Sequence, residues 1–152
     1  NDQISADMVA ESLAAYYADN PAVAFRVAWA AYTNNFLPLA EAAAAVGGTF
    51  KQFMELGRNY TQKVELDIPS ELLSMATPDE EFLLRCLPER MLGILERLLD
   101  KDILMPASQR YIGTLWEDLR LLKKLHLVVD SERNGLYRYS IGLVNYRKVR
   151  GL

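Results

Sequence analysis

The chain has 152 residues, 51% of them hydrophobic and 24% charged, which is enough apolar material for one ordinary domain or two very small ones and excludes a largely disordered chain. The net charge of −3 argues against indiscriminate affinity for nucleic acid, yet the charge is unevenly spread. Residues 1–104 hold eight Lys/Arg against sixteen Asp/Glu, a net of −8, and residues 105–152 hold nine against four, a net of +5, so one basic segment faces an anionic partner or is simply a Lys/Arg-rich surface. In chain order, Ser5 is placed to cap a first helix running to about Ala18, with Met8, Val9, Leu13, Tyr16 and Tyr17 at helical spacing. Asn20 and Pro21 then stop that helix and start another, as N-cap and first helical residue. This second helix runs to about Asn34, with Val23, Val27, Ala30 and Ala31 along its apolar stripe and Phe25 and Trp29 adding bulk.

Pro38 opens a short Ala-rich helix, Leu39 to Val46, which Gly47 and Gly48 end. Thr49 to Asn59 reads as another helix. Ala43 lies four positions before Gly47, and Phe53 lies six after it. A small side chain lets two helices approach closely, glycine supplies a left-handed turn, and a large apolar residue plugs the space between the helices. With those three residues the stretch 37–60 resembles the helix-turn-helix family, although an ordinary αα-hairpin satisfies the same spacing. Gly48 departs from the family pattern, which carries a larger aliphatic residue there.

Lys63 to Ile68 alternates apolar and charged residues, which predicts a half-buried strand. Pro69 to Ala76 is a connector with about one helical turn. Thr77, Pro78 and Glu80 make a capping box with proline at the first helical position. Pro88 stops that helix and begins the next, Glu89 to Asp100, whose apolar face is Met91, Leu92, Leu95, Leu98 and Leu99. Ile103 to Pro106 is a short extended link.

Ser108 is placed to cap the last long helix, which runs to Leu125 with Ile112, Leu115, Trp116, Leu119, Leu122 and Leu125 inward. Gln109, Arg110, Gly113, Thr114, Glu117, Leu121 and Lys124 point outward in the same reading. Leu127 to Asp130 and Leu136 to Ile141 then flank the turn segment Ser131 to Gly135, in which Asn134 and Gly135 are suited to positive φ in a hairpin. A helix followed at once by a short hairpin resembles the recognition helix and wing of the winged-helix family. The fold expected is mostly α with a small β-hairpin: a helical bundle with a winged-helix-like C-terminal unit. Its organisation is a helical, helix-turn-helix-like unit over 1–76 and a winged-helix-like unit over 77–152, sharing one core. A plain C-terminal α+β packing unit is the alternative.

What the resemblance implies for function is carried by position. Gln109, Arg110 and Thr114 would face bases or phosphates from the start of the helix, with Lys124 further along it. Arg133 at the wing tip and Arg138 on the return strand would reach backbone phosphates, and Arg147, Lys148 and Arg150 form a basic tail with the same use. Glu117 and Asp118 oppose this, because in a recognition helix they would repel phosphate. Tyr137, Tyr139 and Tyr146 beside arginines allow a stacking platform for single strands, though tyrosines packed against neighbours suit a hairpin better.

Nothing in the chain favours catalysis. No nucleophile stands beside a base, no Gly-rich loop has the spacing for a phosphate, and one cysteine and one histidine exclude disulfides within the chain and Cys- or His-based metal sites. Cys86 sits in an apolar run and His126 at the end of the last helix, both with structural roles expected; Asp79, Glu80 and Glu81 favour a helix N-terminus. No apolar run approaches the ~20 residues of a membrane span, and no signal peptide is evident. The first residue is Asn rather than Met, as in a trimmed or partial chain. The expected protein is a cytoplasmic non-enzyme without cofactor or metal. It is a double-stranded-DNA-binding protein of bacterial type, acting in regulation, DNA maintenance or defence. The alternative is a non-catalytic interaction subunit that binds a protein partner or a second copy of itself through its acidic body and Leu121, and no membrane contact is expected in either.

Overall fold

A computed structural model describes residues 15–152. Residues 15–19 are helical, and the rest of the expected N-terminal helix from Ser5 lies outside the described residues. Then follow α1 (Pro21–Thr33), α2 (Leu39–Val46), α3 (Phe50–Gln62), α4 (Ser70–Met75), α5 (Pro78–Cys86) and α6 (Glu89–Asp100). The C-terminal part is β1 (Ile103–Pro106), a 3₁₀ turn (Ala107–Gln109), α7 (Gly113–Lys124), β2 (Val128–Arg133), β3 (Leu136–Ile141) and α8 (Val144–Val149). The protein is mostly helical with one small antiparallel sheet.

Local chemistry explains most boundaries. Thr49 caps α3 and Thr77 caps α5, each in a full capping box: the threonine hydroxyl accepts the N–H three residues on, and Gln52 or Glu80 accepts the threonine N–H at 2.9 Å. Pro88 precedes α6 as expected. Gly47 ends α2 at φ +92°, Ala43 is buried beneath it and Phe53 is fully buried, so the three residues that suggested a helix-turn-helix occupy a tight two-helix turn. A side chain at Gly48 would meet Leu121 and Gln52 at 3.2–3.4 Å. The space a larger aliphatic residue would take at position 48 is thus occupied from α7. Gly57 is equally constrained, since a Cβ there would lie 2.1 Å from the Trp29 ring.

The sheet has strand order β1-β3-β2, with Ile103 opposite Tyr139, Pro106 opposite Leu136, Val128 opposite Ile141 and Arg133 opposite Leu136. The extended link Ile103–Pro106 is therefore a third strand. It alternates buried Ile103 and Met105 with exposed Leu104, and Pro106 is tolerated because β1 is an edge. Asn134 (φ +54°) and Gly135 (φ +77°) form a two-residue turn whose twist matches its strands, so the hairpin is longer and the turn tighter than the sequence suggested.

Five expectations are corrected. Lys63–Ile68 forms no strand: Leu66 and Ile68 rest against the core, but Lys63 takes φ +48° and the segment pairs with no other strand among the described residues. The last helix starts at Gly113 rather than at Ser108, because Ser108 lies in the 3₁₀ turn and Tyr111 (φ +71°) and Gly113 (φ +83°) interrupt any continuous helix. Its inward face is also rotated: Leu121 and Asp118 are buried, while Ile112 is two-thirds exposed. On α1 the buried stripe is Ala22, Phe25, Ala28 and Trp29, with Val27 and Ala30 outside; Asn20 adds no side-chain cap and donates to the Tyr16 carbonyl at 2.8 Å instead.

One buried cluster joins all of this. Phe25, Trp29 and Phe53 pack ring to ring, and the same cluster continues through Leu84, Met91 and Leu95 to Leu119, Leu122, Val128 and Ile141. Within it the α3 and α7 helices meet at polar groups as well as apolar ones.

Candidate nucleic-acid interface

The two faces of α7 do different chemistry. Inward, Asp118 is 1% exposed and fully engaged: Arg90 Nε donates to its Oδ2 at 2.6 Å, Arg90 Nη2 to Oδ1 at 3.0 Å, and Gln52 Nε2 to Oδ1 at 2.9 Å. Arg90 also grips Glu55 with two bonds of 3.1 Å. The hydrogen bonds to Asp118 and then to Glu55 push the Arg90 guanidinium further above its ordinary pKa, so it stays charged at every pH the fold survives. Asp118 therefore does not face phosphate; it ties α7 to α3 and α6.

Outward, α7 presents Trp116, Arg120, Lys123 and Lys124 at helical spacing. Across from them stand Tyr17, Ala18 and Pro21 and the end of α2 from Ala44 to Gly47. Between the two walls lies an open cleft of about 1280 Å³, which Arg110, Tyr111, His126, Asp130 and Tyr139 also line. Tyr111 is 73% exposed, and its ring centre lies 4.9 Å from that of Trp116. A left-handed non-glycine residue costs roughly 1–2 kcal/mol, and Tyr111 holds that conformation with its ring at the cleft mouth. Arg120 lies over the Trp116 ring at 5.5 Å, and the stem of Lys124 rests against Gly47. His126 takes φ +63° as α7 ends: its N–H bonds the Lys123 carbonyl at 3.0 Å, and the Leu127 N–H bonds that of Leu122 at 2.9 Å.

The expected DNA-contacting residues fall into separate groups. Gln109 ends the 3₁₀ turn and Arg133 ends β2, and the turn is tied to the wing tip by the Ala107 N–H donating to the Gly135 carbonyl at 2.7 Å. Thr114 is exposed in the first turn of α7, close by in the chain. Arg110 is on a loop rather than on the helix, folded over the Tyr137 ring at 3.9 Å and 3.7 Å from Asp130, and its Nε is buried without a partner. Lys124 belongs to the cleft. Arg138 pairs with Asp102 at 3.2 Å. Arg147 is half-buried, Arg150 reaches Glu71 at 3.8 Å and covers Tyr146, and Lys148 is exposed on α8. Since α8 follows the far end of β3, roughly 17 Å from the wing tip, the tail and the wing do not form one surface. The tyrosine platform is not present either: Tyr139 and Tyr146 are buried and Tyr137 lies under Arg110.

Sequence reasoning missed Arg120, Lys123 and Tyr111, and that Trp116, half-buried against the core as expected, also borders the cleft. The signal was the i, i+4 pair Trp116 and Arg120. Among the described residues no group of three or more His, Cys, Asp or Glu is placed to hold a metal. Cys86 is buried, and desolvation pushes its thiol up to about 12, which keeps it protonated and unreactive near neutral pH. No described helix is long and apolar enough to cross a membrane. Compared with family models, curated proteins and solved structures, the chain matches none.

Proposed function

We propose that the chain binds DNA, as a bacterial-type regulator or an accessory factor in DNA maintenance or defence, through a winged-helix-like C-terminal unit in which a 3₁₀ turn replaces the middle helix. The observation that carries this reading is the junction at the wing tip. The order helix, strand, turn, helix, strand, strand, with β3 central in the sheet, ties the 3₁₀ turn that ends at Gln109 to the hairpin turn that follows Arg133, and Thr114 is exposed at the start of the helix that comes next. Arg133 has no carboxylate partner among the described residues, unlike Arg110 and Arg138. The expected mode is duplex binding, with Arg133 on phosphate and Gln109 and Thr114 at the groove edge.

Fluorescence anisotropy with a labelled random-sequence duplex tests this at low and at physiological salt. Affinity falls steeply with salt, and Arg133→Ala weakens binding across sequences and flattens the salt slope by about one. Arg138→Ala has a smaller effect, because that arginine already holds Asp102. No duplex binding at low salt, or binding untouched by Arg133→Ala, overturns the reading.

The second reading, a non-catalytic interaction subunit, no longer has Leu121 to stand on, since that side chain is buried. Phe36, 83% exposed, and Phe50, 55% exposed, on the acidic half favour it instead. Under that reading the protein forms a discrete oligomer or complex whose mass, by light scattering, does not respond to Arg133→Ala.

A further inference from the structure

We propose that the cleft between α1–α2 and α7–β2 takes a short stretch of single-stranded nucleic acid, with bases on Tyr111 and Trp116 and phosphates against Arg120, Lys123 and Lys124. These are different residues from those of the duplex reading, whose contacts lie at the wing tip.

Four basic side chains, Arg110, Arg120, Lys123 and Lys124, line the cleft against one carboxylate, Asp130. Asp130 holds Lys123 at 2.9 Å and Arg110 at 3.7 Å. Arg120 and Lys124 have no carboxylate partner among the described residues, so they offer charge to a ligand. Among the described residues the opposite wall, Tyr17, Ala18, Pro21, Ala44 and Ala45 among others, adds no acidic group, and apart from Tyr17 its side chains are small. This local excess of positive charge stands in a chain whose net charge is −3.

Aromatic placement decides between polyanions. Tyr111 and Trp116 sit beside the cations: Tyr111 is exposed, and Trp116 is half-buried, resting on the core on one side with Arg120 5.5 Å from its ring. Flat bases alternating with phosphates use both features, and stacking tolerates any base sequence because every base has a π face. An acidic polypeptide uses the cations and leaves the rings idle. At about 1280 Å³ the cleft exceeds the ~300–1,000 Å³ of a small-molecule pocket, and it is open, as a polymer segment requires. A single strand fits better than a duplex because the C-terminal half of α7 is walled by α2, with Lys124 against Gly47, and so does not protrude as a groove-reading helix does.

The chain has two tryptophans; Trp29 is buried and Trp116 borders the cleft, so tryptophan emission reports on this site. Titration of the full chain with a short thymidine oligomer at low salt gives saturable quenching. Arg120→Gln with Lys124→Gln, and separately Trp116→Leu, each weaken oligomer binding about tenfold, with anisotropy of a labelled oligomer as readout and the remaining Trp29 emission verifying the fold of Trp116→Leu. Arg133→Ala leaves this titration unchanged, which separates it from the duplex reading. The proposal is overturned by absence of quenching at low salt, or by variants that bind the oligomer as the parent does. It is equally overturned if polyglutamate quenches and the oligomer does not, which marks a site for acidic polypeptide. A duplex that binds as tightly as the oligomer, with the same losses in the same variants, overturns the preference for a single strand.

Discussion

The α3 and α7 helices follow the two turns that define the molecule, and their N-termini are built in opposite ways. The start of α3 is closed: Gly47 turns the chain, Thr49 caps the helix, and Gln52 answers the Thr49 N–H while its amide reaches Asp118. The start of α7 is open: Ile112 stands at the cap position without a side-chain bond, and the loop before it carries left-handed Tyr111 and Gly113. The chain satisfies its backbone groups where it needs only a scaffold. It leaves irregular backbone and exposed aromatic and polar groups beside the helix that borders the cleft and the wing. Closed and open starts are divided between two helices, and buried and exposed polar groups between the two faces of α7.

The sharpest way to break that division is at the shared joint. Asp118→Ala leaves the Gln52 amide without its acceptor and Arg90 with Glu55 alone, and destabilises the fold by about 2–4 kcal/mol, below the usual figure for a buried pair because Arg90 keeps Glu55 and some water contact; urea denaturation measures it. Gly57→Ala strikes the packing of α3 on α1. Its Cβ would collide with the Trp29 ring, for a loss of about 1–3 kcal/mol even after the helix-propensity gain, seen as a lower melting temperature. The smallest effects compare the two caps directly. Thr49→Ala costs about 1 kcal/mol at the closed turn, whereas Ile112→Ser adds a cap at the open one and stabilises by about 0.5–1 kcal/mol. Should Ile112→Ser instead destabilise, the α7 N-terminus is already satisfied and the contrast fails.

Local signals in the sequence were sufficient for the elements with strong starts or stops, though not for the cap expected at Ser108. The capping boxes at Thr49 and Thr77, prolines 21, 78 and 88, the Gly47 turn and the Asn134–Gly135 hairpin all act within a few residues of themselves. Lys63–Ile68 and Ile103–Pro106 were exchanged in character, because a strand exists only if a partner edge is in reach. Alternation of apolar residues says nothing about that partner.

The candidate site was less legible, for a related reason. Helical periodicity gives the spacing of a stripe but sets its rotation only to within one residue in the turn. Counting Ile112 in the stripe turns the expected inward face away from Leu121, whereas Ile112 is two-thirds exposed, Leu121 is buried and Trp116 is half-buried. Asp118, read as an obstacle to phosphate, is instead the acceptor that holds three elements together. Arginines 110, 138 and 150 were chosen for their charge, and each has a carboxylate partner remote in sequence.

By itself the sequence determined the mostly helical class, the helix starts marked by Thr49, Thr77 and prolines 21 and 88, the hairpin turn and the concentration of positive charge in the last third, since these depend on backbone chemistry and composition within a few residues. Tertiary structure alone decided which face of α7 is buried, which cations are left unpaired, and that two distant segments enclose a basic, aromatic cleft. Those outcomes depend on which groups meet across the fold, and the energy of a charge or a ring depends on what lies beside it.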